Sequence, residues 1–64
     1  MTTAEILEQR KLNEEVKADL NKIIRTLPLI KGDTSHLQMG AGEILNSIES
    51  NLLALEDMLY DKQH

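Results

Sequence analysis

The residues best suited to chemistry lie between Lys31 and Gly40. Lys31, Thr34, Ser35, His36 and Gln38 supply an ammonium, two hydroxyls, an imidazole and a carboxamide within ten positions. Such donors can hold a phosphate or another small anion. A helix opening at this point would add free backbone N–H groups and the positive end of its dipole. The same residues serve equally well as helix caps and as surface polar groups, so both readings stand.

Gly40 and Gly42 extend the question. Each glycine inside a helix costs about 1 kcal/mol relative to alanine. Two within three residues call for a compensating use. Gly40, Ser47 and Ala54 stand seven apart and make a stripe of small side chains. Such a stripe admits a second helix at close range, or a ligand against bared backbone, or it marks a frayed first turn. Other chemical motifs are missing. There is no P-loop, no glycine-rich turn after a strand, no H-E-x-x-H and no Cys–His pair. No nucleophile, base and orienting acid share a readable spacing, so an enzyme is not expected. His36 and Glu43 lie seven apart, a geometry that would allow a weak metal site, but a solvent-exposed histidine near a helix start is the plainer reading and no metal or cofactor is expected. His64, the last residue, is expected to fray.

Two helical patterns must position these groups. The first runs over roughly residues 3–27. Thr2 and Glu5 form a T-x-x-E capping box, with Met1 and Ile6 at the hydrophobic-staple positions around it. Leu12, Val16, Leu20, Ile23, Ile24 and Leu27 recur at spacings of three and four and predict the buried stripe. Glu14, Glu15, Lys17, Asp19 and Lys22 fall mostly on the solvent side. Pro28 should stop or bend this helix and push Leu27 out of helical geometry. Leu29 and Ile30 are expected to tuck under the joint, residues 28–35, where Gly32 permits a tight turn. Asp33, Thr34 and Ser35 are all N-cap candidates, and Ser35 with Gln38 reads as an S-x-x-Q box. The second helix therefore covers roughly residues 36–60. Its stripe is Leu37, Ala41, Ile44, Leu45, Ile48, Leu52, Leu55 and Leu59, widened by Leu53 and Met58. A short joint makes the two helices antiparallel neighbours.

Composition limits what such a hairpin can do alone. The chain has 64 residues, no Cys, no Phe, no Trp and one Tyr. Its core must be built from aliphatic contacts. At this size the area gained by burial is nearly cancelled by roughly 1.5 kcal/mol of conformational entropy per residue. Disulfides and thiolate metal sites are excluded, which leaves oligomerisation as the common remedy. The predicted stripe on the second helix is wider than one neighbour can cover, which points the same way. The net charge of −4 argues against general DNA or RNA backbone binding. No stretch approaches the roughly 20 apolar residues of a membrane span, and Met1 to Arg10 lack a signal-peptide pattern. The expected location is the cytoplasm.

The run Ser35-His36-Leu37-Gln38-Met39-Gly40, followed by Ile44-Leu45-Asn46-Ser47-Ile48, resembles the second helix of the phage anti-CBASS sponge family, whose hairpin domain also occurs in inhibitors of Thoeris defence. Leu12 to Ile24 resembles that family's first helix. The resemblance implies small helical protomers in a symmetric oligomer that sequester cyclic nucleotide signals of host immunity without cleaving them. Cyclic di- or trinucleotides, or cyclic ADP-ribose isomers, would be the ligands. Lys31 would then stand where the family places a basic phosphate contact, and Ser35 would be the hydroxyl beside it. The sequence departs from the pattern at Ala41 and Gly42, where bulky residues are usual, and at Asn46, where a basic residue is. Arg10, Lys11 and Lys17 are the candidates for the first-helix contacts.

The sequence thus predicts an all-α, antiparallel two-helix hairpin over residues 1–64, assembling into a homo-oligomeric bundle. Its candidate ligand residues are Lys31, Thr34, Ser35, His36, Gln38 and Gly40. Its expected role is a non-enzymatic sponge in the cytoplasm of a phage-infected host. The alternative is a helical module that docks on a host or phage protein.

Overall fold

A computed structural model describes residues 1–63, and the expectation for His64 lies outside them. Two helices, α1 (Thr3–Thr26) and α2 (Ser35–Gln63), pack against each other as a hairpin. A short 3-10 turn, Leu27–Leu29, follows α1 directly.

The start of α1 is built as its sequence demands. The Thr2 hydroxyl accepts from the Glu5 N–H at 3.2 Å, and the Glu5 carboxylate accepts from the Thr2 N–H at 3.3 Å. Two donors with no partner inside the helix are thereby satisfied. Met1 and Ile6 line one cavity, and Ile6 is the most deeply buried side chain of the described residues. At the other end Pro28 does not displace Leu27, which keeps helical angles and donates its N–H to the Ile23 carbonyl. Proline is tolerated here because it stands in the first turn of the 3-10 element, where its missing N–H has no helical partner to lose. The chain leaves helical geometry only at Ile30.

The buried seam departs from the predicted stripes. On α1 it follows Ile6, Arg10, Asn13, Lys17, Leu20, Ile24 and Leu27, a regular three-four spacing. Lys17 is half-buried, not on the solvent side. Leu12, Val16 and Ile23 are exposed. On α2 the seam is Thr34, Gln38, Ala41, Leu45, Ile48, Leu52, Leu55 and Leu59, and Leu37 and Ile44 are exposed. A stripe one helix can cover spans only part of the apolar arc, so each helix hides one seam and bares the next. Leu29 and Ile30 do not tuck under the joint. Leu29 is 84% exposed and Ile30 51% exposed.

The result is a rod of 51 × 15 × 13 Å. Its radius of gyration is 14.9 Å, against about 11 Å for a compact domain of this length.

Candidate functional site

The joint is held by its own polar groups. The Thr34 hydroxyl donates to the Leu27 carbonyl at 3.3 Å, tying the α2 start to the α1 end. It also accepts from the Gln38 carboxamide at 2.8 Å. The Thr34 carbonyl takes the first helical hydrogen bond, from the Gln38 N–H at 2.9 Å, so Thr34 is the N-cap. The predicted Ser35–Gln38 box is thus displaced by one residue, and α2 begins at Ser35. Ser35 turns instead to Asp33, whose carboxylate accepts from its N–H at 3.0 Å and from its hydroxyl. Those two bonds, the hydroxyl's first, hold the Asp33 carboxyl below the usual carboxylate range. The negative charge favoured at a helix start is therefore supplied by the protein itself.

Of the six residues singled out by sequence, Thr34 and Gln38 come together, but facing inward as a clamp. Ser35 is engaged by Asp33. His36 and Gly40 meet on one side of α2, at the rim of a groove. Lys31 stands apart on the exposed joint and pairs with no carboxylate among the described residues. No group of three His, Asp or Glu among the described residues could hold a metal ion.

The groove beside His36 is the more developed feature. Leu20, Ile23 and Leu27 form one wall, and Leu37, Gly40, Ala41 and Ile44 form the other, around about 310 Å³. Further along the same side, Asn13 faces Asn51, Ala54, Leu55 and Met58. At the open end Met1, Ile6 and Met58, together with Asp61 and Lys62, border a third hollow of about 500 Å³, so charged side chains close this side off beyond Met58. Leu37, Gly40, Ile44, Ser47, Asn51, Ala54 and Met58 thus form a second three-four seam beside the buried one. No member of this seam is charged. Ser47 returns its hydroxyl to the Glu43 carbonyl at 3.2 Å, so it presents little unmet polarity.

The other flank has the opposite character. Glu14, Lys17, Glu49, Leu53 and Glu56 border it, and Arg10 pairs with Glu56 at 3.5 Å. Sequence reading missed this split. The signal was present as two interleaved heptads on α2, one of them free of charge. No helix among the described residues is long and apolar enough to cross a membrane.

Neither a protein-family model, nor a curated protein, nor a solved structure matches the chain.

Proposed function

We propose that this chain is a non-catalytic helical module that works by laying its apolar flank against another protein surface. The observation that carries this reading is the uncharged seam from Leu37 to Met58, exposed beside Ile23. Leu37 is 62% exposed and Ile44 is 54% exposed. Covering a Leu, Ile or Met side chain fully is worth about 1.5–3 kcal/mol. Several in one row give a surface worth covering, and a helix face recognised at i, i+3, i+4 and i+7 is a common docking mode. A photo-crosslinking amino acid in place of Ile44 should capture a protein chain as a discrete adduct. The same group in place of Leu53, on the charged flank, should capture none. Equal labelling from both positions would contradict the reading.

A second reading is the sponge for cyclic nucleotide immune signals. It is favoured by His36 and Gly40 sharing the groove rim and by the Lys31 ammonium, exposed at the same end of the hairpin. Because Asp33 occupies the α2 start, a phosphate would be held by Lys31 and His36, with cations from neighbouring protomers, rather than by the helix dipole. Native mass spectrometry with cyclic di- and trinucleotides and cyclic ADP-ribose isomers tests it. Uptake of one nucleotide at fixed stoichiometry, lost in Lys31→Glu with helicity intact, is expected. A bare protein across the panel would remove this reading.

A further inference from the structure

We infer that the occupant of the apolar flank is a second copy of this chain, with α2 packed antiparallel on α2 of its partner about a two-fold axis near residue 49. This rests on the reading of the flank as a protein-docking surface and names what docks there.

Surface area points to a partner of this size. A folded monomer of 7.2 kDa exposes about 4,100 Å². This chain exposes 5046 Å², roughly 900 Å² too much. A standard interface takes about 800 Å² from each partner. The surplus is the size of one such face. The stretched rod also lacks the compactness that lets a chain of this size stand alone.

Register selects α2 against α2. In antiparallel helix pairs, one seam position faces the complementary position of the partner, and good layers set large side chains over small ones. A two-fold axis near residue 49 sets Ile44 over the partner's Ala54 and Met58 over the partner's Gly40. Ser47 then faces the partner's Asn51, two polar groups level with each other at the centre. Every contact occurs twice, as an isologous interface requires. The small residues at 40, 47 and 54 have a use in this arrangement. In the single chain nothing lies within 4 Å of where a Gly40 Cβ would stand.

Charge selects the same face. The flank bearing Glu14, Lys17, Glu49 and the Arg10–Glu56 pair would have to bring several charged groups together to meet itself, whereas the span from Gly40 to Met58 meets itself without a charge, and only Leu37, at its edge, faces the partner's Asp61.

The test is disulfide trapping in the full chain, read on a non-reducing gel beside sedimentation and circular dichroism. Ser47→Cys with Asn51→Cys should give a covalent dimer under mild oxidation. Asn46→Cys with Ser50→Cys, the same residue types at the same spacing on exposed faces outside the seam, is the control. Facing thiols meet at an effective concentration on the order of millimolar, so trapping at micromolar protein should run up to roughly a thousandfold faster than the control. Retained helicity in both variants shows that neither has simply unfolded. An assembly of copies that traps neither pair would overturn the proposed face and register and leave the docking module standing. A helical protein that sediments as one copy would overturn self-pairing. If Ile44 then crosslinks to a different chain, the module reading survives; if it crosslinks to nothing, both fail.

Discussion

At the scale of residues, Thr34 carries the joint. It is buried, and its hydroxyl serves both the Leu27 carbonyl and the Gln38 carboxamide. Thr34→Val keeps the shape and removes both bonds, which should cost about 1–3 kcal/mol in urea unfolding. Asp33 makes a different prediction. Its folded carboxyl titrates below the usual range because Ser35 bonds the ionised form. A depressed folded value stabilises fully above the unfolded carboxylate range near 4 and is lost as pH falls through the lower folded value. Asp33→Asn should therefore flatten the acid side of the stability–pH curve below about pH 4 and leave neutral-pH slopes unchanged. The cluster Asp33-Thr34-Ser35 was legible as a helix start. Which of the three caps was not, because Gln38 can answer either Thr34 or Ser35. The tertiary bond from Thr34 to Leu27 decides it, and local spacing cannot reveal that bond. Gly32, at φ +113°, holds the turn in a region that side chains avoid, as the sequence suggested.

At the scale of elements, α2 bears two seams and the sequence showed their union. In the sequence Leu37 and Ile44 group with Leu45 and Ile48 because all are apolar and helical in spacing. Only the direction from which α1 arrives separates them. On α1 the error ran the other way. The buried line includes Arg10, Asn13 and Lys17, so the more apolar line through Leu12, Val16 and Ile23 looked like the core. Long stems let Arg10 and Lys17 cover apolar surface while their charged ends reach water, which pattern reading does not anticipate. The two helical glycines now separate. Within one chain both have open space where an alanine methyl would stand, so helix propensity alone would make either alanine variant about 1 kcal/mol more stable. Gly42→Ala, off the exposed seam, should show that gain in chemical denaturation. Gly40→Ala should show less or a loss, because its methyl meets the partner's Met58 and crowding a packed contact costs about 1–3 kcal/mol. Equal gains would separate Gly40 from any interface.

At the scale of the whole molecule, thin burial and function are joined. A rod whose buried apolar set is Ile6, Leu27, Ala41, Ile48, Leu52 and Leu55 holds little stability of its own. If the hairpin relies on docking through its second seam for the burial its own core lacks, a charge on the exposed seam should cost both folding and docking. The two-helix, all-α architecture was legible from caps, periodicity and the Pro-Gly joint. The face that meets a partner was not, since no single helix marks which of its seams stays bare. The most direct measurement is sedimentation equilibrium with circular dichroism over a range of concentrations, on the unaltered chain and on Ile44→Glu. The unaltered chain should sediment as more than one copy, with helicity that rises with concentration. Ile44→Glu should sediment as one copy with most of that helicity gone. An unaltered chain that stays fully helical as a single copy at every concentration, and an Ile44→Glu variant that matches it, would contradict self-pairing through this seam.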